Sequence, residues 1–408
     1  MIDTKIIRDD PDRIRAELKK RGIKLDVDRL AELDAKRRDL QRRYDEQRAE
    51  QKGVKDSAAG KQLKDALKKI EEQRRKVDED FEALYLQLPN FSADGIPTKS
   101  DEPIKMVGEK PKLKDPQPHD DIPAIKPLID FERGAKVSGN RFWFLKGALV
   151  QLEFALTRYV LDFYEQRGFT AMRPPTMVRE SAMTGTGFFP AEASEIYALD
   201  NDDTEDEHPK KFLSGTAEVA LASYHAGETL DPKELPVKYV GFAPAYRREA
   251  GNYGQDTKGI LRGHEFDKLE LFVFAAPDKS WDAHEELQAN AEEFWTSLGI
   301  PFQVVNICAG DLSAPNAKKL DVEAWLPGEG RYREVASNSN DTDFQARRLK
   351  IKSNKKLVHT LNNTACAIGR TIVAITENYQ REDGSVDMPE VLHPYLPFKK
   401  ITNTGDPA

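Results

Sequence analysis

The sequence is poor in cysteine and has no long apolar run. Its 408 residues include only two cysteines, Cys308 and Cys366, too few for a disulfide framework or a CxxC zinc site. No stretch approaches the roughly 18 consecutive apolar residues of a membrane span. The start, MIDTKIIRDDPDR, lacks the apolar core of a signal peptide. These absences predict a cytoplasmic protein of a reducing compartment, with no membrane partner and no zinc.

Several nucleotide and metal motifs are also missing. The sequence contains neither a GxGxxG fingerprint nor a GxxxxGK loop, which argues against a dinucleotide-binding or P-loop enzyme. HEFDK at 264 and HEELQ at 284 both fail the HExxH pattern of zinc peptidases.

Charge is plentiful but unevenly distributed. The net charge of −8 argues against a generally basic nucleic-acid-binding protein. From Lys36 to Lys76, however, 15 Lys/Arg stand against 8 Asp/Glu, so this segment carries +7 and the rest of the chain −15. Any contact with nucleic acid is therefore expected in this segment.

The same segment has the pattern of a helical hairpin. A 4-3 heptad spacing, interrupted only at Arg74, is followed by Leu63, Leu67, Ile70, Val77, Phe81, Leu84 and Leu88. A thinner apolar run begins at Leu30, and the stretch from Gly53 to Gly60 breaks the pattern. The sequence predicts an antiparallel two-helix coiled coil over about 27–88, each helix roughly 40 Å long, projecting from the body. A dimerisation coiled coil is the alternative reading. The proline-rich, aperiodic stretch that follows is typical of a linker.

The stretch from Phe242 to Phe274 predicts two strands joined by a polar loop. Val237–Phe242 alternates apolar and polar residues, as do Leu269, Leu271 and Val273, and turn-forming residues fill 251–259. By strand parity, Arg247 and Glu249 share a face, as do Arg262, Phe266 and Glu270. An aromatic side chain and a carboxylate about 13 Å apart, with arginines between them, suit an anionic ligand with a ring at one end.

The residues Tyr246-Arg-Arg-Glu-Ala-Gly, Gly254-Gln-Asp-Thr-Lys-Gly-Ile-Leu-Arg and His264-Glu-Phe resemble the second signature motif of class II aminoacyl-tRNA synthetases, in its bacterial seryl form. Gly168-Phe-Thr-Ala-Met-Arg-Pro-Pro is similar to the first motif, and Leu361–Ile375 to the third. The similarity runs over nearly the whole chain. It implies an α+β fold: an N-terminal antiparallel two-helix coiled-coil arm, and a catalytic domain of mostly antiparallel sheet flanked by helices. The expected divisions are 1–100, with the arm; 101–127, the linker; and 128–408, the catalytic domain.

The resemblance also implies an activity and its residues. The expected activity is ATP-dependent, AMP-forming ligation of L-serine to tRNA(Ser), with tRNA(Sec) as a further family substrate. The resemblance assigns catalysis to Arg247, Glu249 and Arg370. It assigns serine binding to Thr216, Ala217, Glu218, Arg247, Glu270, Asn362 and Thr364. It assigns ATP binding to Arg247, Arg248, Glu249, Arg262, Gly263, Phe266, Glu334, Val335, Ala336, Ser337 and Arg370, with Mg²⁺ held by Glu334 and Ser337. The arm would grip the tRNA, and the first motif would form a homodimer interface.

Some of these residues have ordinary structural explanations. Thr216 can cap a helix in which Glu218 suits the dipole, and Glu334 alone resembles a surface carboxylate. Arg370, the only formal charge between Lys356 and Glu377, is expected to be buried and to need an anion or hydrogen-bond partners. An internal salt bridge would satisfy it, but the third motif favours a nucleotide phosphate.

The sequence also departs from the family pattern at Asn363, Thr364, Glu265 and Ala336, which replace Gly, Ser, Gln and Ser. Two other functions compete: a paralogue that loads a carrier protein, expected to lack the arm, and a non-catalytic RNA-binding protein, free to lose the motif arginines.

Overall fold

A helical N-terminal domain precedes an α+β domain built on one large sheet. The computed structural model describes residues 1–53, 57–200, 210–250 and 258–408. The helices are α1 (Thr4–Asp9), α2 (Pro11–Lys20), α3 (Val27–Gly53), α4 (Ser57–Tyr85), α5 (Phe131–Ser138), α6 (Ala148–Glu165), α7 (Glu180–Thr186), α8 (Glu218–Ser223), α9 (Ser280–Ser297), α10 (Phe344–Leu349) and α11 (Ile368–Asn378).

The strands vary from two to twelve residues. They are β1 (Glu102–Val107), β2 (Ile129–Asp130), β3 (Phe144–Leu145), β4 (Thr170–Met172), β5 (Met177–Arg179), β6 (Ala198–Leu199), β7 (Lys211–Leu213), β8 (Thr229–Leu230), β9 (Val237–Tyr246), β10 (Glu265–Ala275), β11 (Phe302–Asn306), β12 (Lys318–Leu326), β13 (Arg331–Thr342), β14 (Lys352–Ser353), β15 (Lys356–Leu357), β16 (His359–Ala367), β17 (Val386–Asp387) and β18 (Lys400–Ile401). Short 3-10 helices occupy Lys126–Leu128, Ala193–Glu195, Pro277–Lys279, Ala309–Asp311 and Glu390–Tyr395.

Helices α3 and α4 form the predicted antiparallel hairpin. Arg37 on α3 is paired with Asp78 on α4 at 2.6 Å. Tyr44, seven residues further along, donates to Glu71, seven residues back, at 2.8 Å. The outer half of α3 is largely exposed, whereas its first half is buried with α1 and α2. The hairpin therefore has a packed base and a projecting tip.

The large sheet has the order β1-β11-β12-β13-β16-β10-β9-β4. Every neighbouring pair is antiparallel except β4 with β9, which is parallel. One face of the sheet is covered by α6, α9 and α11, and their apolar residues form the main core. The α+β fold predicted from the sequence is confirmed.

Three local predictions need correction. The linker predicted over 101–127 contains β1, which pairs with β11 at the sheet edge. Strand β9 ends at Tyr246, so Arg247 and Glu249 lie beyond it, and Glu249 has a left-handed φ of 50°. Arg262 precedes β10, which begins at Glu265. Phe266 and Glu270 therefore share a face of β10, as strand parity predicts. Parity does not determine where Glu249 and Arg262 point, because both residues lie outside the strands.

Parts of two other predicted features, the break around 53–60 and the polar loop 251–259, lie outside the described residues. So does most of the acidic stretch 200–208, DNDDTEDEH. Within the described part of the chain, no helix is both long and apolar enough to cross a bilayer.

Candidate active site

The face of the large sheet opposite α6, α9 and α11 carries polar residues on its three central strands, and several of them are buried. On β10, Phe266, Lys268 and Glu270 face one side, while Leu269 and Leu271 enter the main core on the other. The neighbouring strands β16 and β13 contribute further polar residues to the same side: Asn362, Thr364, Glu334, Ser337 and Ser339. Pairing in the sheet thus brings together residues that are distant in the sequence.

These strands form the floor of two adjoining cavities. The larger has a volume of about 410 Å³ and the smaller about 60 Å³. Both are lined by Arg247, Glu249, Arg262, Lys268, Glu334 and Thr364. The larger extends to Thr216, Glu218, Glu270 and Asn362, and the smaller to Gly263, Phe266, Val335 and Arg370. The predicted serine residues Thr216, Glu218, Glu270 and Asn362 thus line only the larger cavity, but Ser337 of the predicted nucleotide set lines it too. The two sets therefore overlap across adjoining cavities.

Buried carboxylates mark the closed end of the larger cavity. Thr216 donates its hydroxyl to Glu270 Oε2 at 3.1 Å and also accepts a bond from the backbone of Glu218 at 3.3 Å. Thr216 therefore contacts both the first residue of α8 and a carboxylate of the cavity, while the N-cap position of that helix belongs to Ala217. Lys268 makes an ion pair with Glu270. Glu218 accepts from Gln345 at 2.8 Å, and burial raises its pKa well above the usual value, helped by the nearby carboxylates of Asp341 and Glu270.

Two arginines and an aromatic ring connect the cavities. Arg247 donates Nε to the carbonyl of Gly215 at 3.2 Å, and its guanidinium carbon lies 5.3 Å from the centroid of the Phe266 ring. Arg262 Nη1 contacts Glu249 Oε2 at 2.5 Å, with both side chains mostly buried. Gly263 allows Trp143 to approach closely, because a Cβ there would lie 2.3 Å from the indole.

A second charged cluster lies on β12, β13 and α11. Arg370, in the first turn of α11, donates Nη1 to the carbonyl of Glu334 at 2.7 Å and lies 3.6 Å from its carboxylate. Burial acts to raise the pKa of Glu334, but the positive charges of Arg370, Lys319 and Arg247 outweigh it and hold the pKa at about 2. Arg370 is 24% exposed, so the prediction that it is buried is wrong. Its position at the cavity edge leaves it open to a ligand.

The donor set at Glu334 and Ser337 fits Mg²⁺. Both residues line the larger cavity, and Glu334 is an ionised carboxylate that is 47% exposed there. Hard oxygen donors of this kind bind Mg²⁺ together with substrate phosphates and water. The neighbouring Asp321 has its pKa raised to about 7 by burial, so Glu334 is the more strongly acidic group of the pair.

A few expected residues lie off the cavities, and others were missed. Ala217, Arg248 and Ala336 line neither cavity, and Arg248 is exposed. Five residues that line the larger cavity were not predicted from the sequence: Lys268, Lys319, Glu192, Glu195 and Asn316. Strand parity between Phe266 and Glu270 would have identified Lys268. Lys319 is brought in by the pairing of β12 with β13, and the other three lie outside the strands.

Comparison with known proteins identifies the family. The model for the tRNA synthetase class II core domain (G, H, P, S and T) matches residues 197–379, and that for the seryl-tRNA synthetase N-terminal domain matches residues 1–59. A Streptomyces coelicolor protein named Serine--tRNA ligase is 41% identical over 98% of this chain and 99% of its own length. The chain belongs to the seryl-tRNA synthetase family.

Solved seryl-tRNA synthetases share the whole architecture. The Pyrococcus horikoshii enzyme, solved with ATP, has a TM-score of 0.89 and 37% identity, with complete coverage of both chains. The cytoplasmic enzyme of Naegleria fowleri, solved with AMP, has a TM-score of 0.86 and 32% identity over 98% of this chain and 99% of its own. Both the arm and the catalytic domain are therefore features of the seryl-tRNA synthetase family.

Proposed function

We propose that this protein activates L-serine with ATP and transfers the seryl group to tRNA(Ser). The observation that carries the proposal is the pair of connected cavities, one ending in the buried Thr216–Glu270–Lys268 cluster and the other beside Phe266. Family membership points to the same reaction. An amine and a hydroxyl suit the carboxylates, and an adenine ring suits the aromatic side chain.

The serine end of the site is assigned to Thr216, Ala217, Glu218, Glu270, Asn362 and Thr364. Glu270 and Glu218 face the amine and hydroxyl of serine, while Arg247 draws its carboxylate toward the nucleotide. Ala217 is the N-cap residue before helix α8 and lines neither cavity, so we assign it a supporting role next to Thr216 and Glu218.

The nucleotide end is assigned to Arg247, Arg248, Glu249, Arg262, Gly263, Phe266, Glu334, Val335, Ala336, Ser337 and Arg370. Phe266 stacks on adenine, Glu249 binds toward the adenine and ribose, and Arg262 and Arg370 hold the β- and γ-phosphates. Glu334 and Ser337 would hold Mg²⁺, which neutralises phosphate charge when bound. Ala336 is buried next to these residues in β13 and supports their backbone.

The reaction proceeds in two steps on these groups. A serine carboxylate oxygen attacks the α-phosphorus, and the bond to the leaving pyrophosphate breaks in line, giving seryl-adenylate. A ribose hydroxyl at the tRNA 3′ end then attacks the seryl carbonyl and releases AMP. The side chains form no covalent bond to either substrate; Arg247, Glu249 and Arg370 act by positioning and by neutralising charge.

The arm and the first motif suggest two macromolecular contacts. The exposed, basic tip of α3 and α4 is suited to tRNA phosphates. Phe154 on α6 and Phe144 on β3 are 66% and 47% exposed, and we assign this apolar surface to a homodimer interface. We place the reaction in the cytoplasm, where charged tRNA is used.

Amino-acid-dependent ATP–pyrophosphate exchange tests the proposal. With each of the twenty amino acids in turn, we expect exchange with serine alone, followed by acylation of tRNA(Ser). A paralogue that loads a carrier protein would activate an amino acid without charging tRNA. A non-catalytic RNA-binding protein would bind tRNA without exchange. Either result would contradict the proposal.

A further inference from the structure

Part of the larger cavity is walled by a loop rather than by the sheet. Ser313, Pro315 and Asn316 line this cavity, and they belong to the irregular segment 312–316 between a 3-10 helix and β12. A segment without strand or helix partners has backbone carbonyls that must be satisfied by other groups. Those groups come from the N-terminal domain.

Five consecutive carbonyls of this loop accept hydrogen bonds from two distant residues. Arg21, just after α2, donates to the carbonyls of Leu312 at 3.4 Å, Ser313 at 3.1 Å and Asn316 at 2.6 Å. Asn90, just beyond α4, donates its backbone N–H to Ala314 and its side-chain amide to Pro315, each at 2.8 Å. Arg21 and Asn90 lie on either side of the α3–α4 hairpin in the chain, so the base of the arm holds the cavity wall.

Both residues are buried, and their other contacts fix them in place. Arg21 is paired with Glu17 at 2.7 Å, which offsets the cost of burying its charge. The Asn90 side-chain amide also reaches the carbonyl of Asp341 at 2.8 Å, and its oxygen accepts from the backbone of Phe91 at 2.9 Å. The orientation of this amide is therefore defined, because an inverted amide would place its oxygen against two carbonyls.

The loop is connected in turn to the serine side of the cavity. Asn316 donates its side-chain amide to Asp341 Oδ1 at 2.7 Å, and Asn362 donates to Asp341 Oδ2 at 3.3 Å. Asn362 lines the cavity and is one of the proposed serine-binding residues. A continuous set of hydrogen bonds thus runs from the arm base through the loop to Asn362.

We propose that Arg21 and Asn90 are positioning residues for the serine site. They fix the 312–316 wall and, through Asn316 and Asp341, the orientation of Asn362, while touching no substrate themselves. The inference rests on the proposed function. It predicts that the KM for serine changes and the KM for ATP does not. The loop borders the larger cavity, whereas Phe266 and Arg370, which are assigned to ATP, line only the smaller one.

The test is serine-dependent ATP–pyrophosphate exchange by the full-length protein without tRNA. Asn90→Asp keeps the side-chain shape but replaces the donating amide nitrogen with a carboxylate oxygen, which faces the carbonyls of Pro315 and Asp341 as a second acceptor. Arg21→Lys keeps the charge beside Glu17, but one ammonium cannot reach three carbonyls. We expect each change to raise the KM for serine about tenfold, the size of effect associated with losing one buried hydrogen bond, with the KM for ATP unchanged.

Arg37→Ala is the matched control. It removes the ion pair with Asp78 and the packing over Phe81 within the same domain, and neither contact involves residues 312–316. We expect it to lower the melting temperature without changing either KM. If both loop variants fold and keep the wild-type KM for serine, or if the KM for ATP rises equally, the inference is wrong. Absence of serine-dependent exchange in the wild type would instead refute the proposed function.

Discussion

At the scale of single residues, the site depends on positive charge placed next to acids. Arg370, Lys319 and Arg247 keep Glu334 ionised despite the burial around it. Lys268 makes a direct ion pair with Glu270. Arg370 and Lys319 likewise pair with Glu334 and Asp321, so a phosphate-bearing substrate joins an existing network of charges.

Arg247 is the most informative single substitution. It lines both cavities and lies against Phe266, so it is placed to contact both reacting groups. We expect Arg247→Ala to reduce pyrophosphate exchange by roughly 10²–10³, as typically follows from losing one preorganised charge contact, with little change in melting temperature. Arg381→Ala, which breaks an ion pair with Asp387 away from the site, is the control. Near-wild-type exchange in the Arg247 variant would exclude its assigned role.

Thr364 tests the selectivity of the serine end. It lines both cavities and replaces the serine usual in the family, so its methyl group narrows the space beside the substrate. We expect Thr364→Ser to raise kcat/KM for threonine relative to serine by about tenfold, the lower end of what one methyl-sized difference provides. Thr360→Ser makes the same change on the same strand, outside both cavities. An unchanged threonine-to-serine ratio in the Thr364 variant would exclude this role for the methyl group.

At the scale of elements, the sequence predicted regular structure better than the joins between elements. Heptad spacing gave the hairpin of α3 and α4, and alternation gave β9 and β10. It did not reveal that β9 ends at Tyr246 or that Glu249 adopts a left-handed backbone. Two further residues were not predicted from the sequence. Asn316 lines the larger cavity, and Asn90, in the stretch after α4 interpreted as a linker, binds the loop that forms the cavity wall. Their roles arise from long-range loop contacts, which leave no periodic signal.

Helix α6 and strand β10 meet through a pair of carboxyl groups. Burial, followed by a hydrogen bond with Asp267, raises the pKa of Glu153 to about 8. Because this folded-state pKa lies above the unfolded value of 4.5, the folded state binds an extra proton between the two values. Stability from this group is present at low pH and is lost as the pH rises toward 8.

Replacing Glu153 with glutamine should remove this pH dependence. Glu153→Gln cannot ionise but retains a hydrogen-bonding amide. We expect its melting temperature relative to the wild type to increase between pH 5.5 and pH 8.5, because over most of this range the wild-type carboxyl is ionised in the unfolded state but still protonated in the folded state. Thermal unfolding of both proteins across this range measures the difference. A constant difference in melting temperature would mean that Glu153 does not hold the extra proton.

At the scale of the whole molecule, the proposed dimer makes α6 an interface as well as a core helix. Phe154→Glu should convert the dimer to a monomer at micromolar concentration, because a charge would replace an apolar side chain in the interface. Sedimentation velocity measures the outcome. Met106→Glu is the control: Met106 is 69% exposed on β1, at the opposite edge of the sheet from β4. If the Phe154→Glu variant remains a dimer, or if Phe154→Glu and Met106→Glu dissociate the dimer equally, then α6 does not form the interface.

The arm is divided into a base that supports the catalytic domain and a tip proposed to bind tRNA. Leu33, Leu40, Val77 and Phe81 belong to the buried base, so deleting the entire hairpin would also expose the apolar side chains of α1 and α2. A more selective change removes residues 45–69 and joins the shortened helices with a short glycine linker.

The two halves of the reaction should then separate. We expect serine-dependent exchange to remain at the wild-type rate, because the truncation leaves Arg21, Asn90 and both cavities in place. Acylation of tRNA(Ser) should collapse, and residual tRNA binding should show a shallower salt dependence, each lost phosphate contact removing roughly 0.7–0.9 from the slope. Filter binding across a salt series measures that slope. A truncated protein that charges tRNA as well as the full chain would show that the tip does not bind tRNA, and loss of exchange would show that the cut had reached the base.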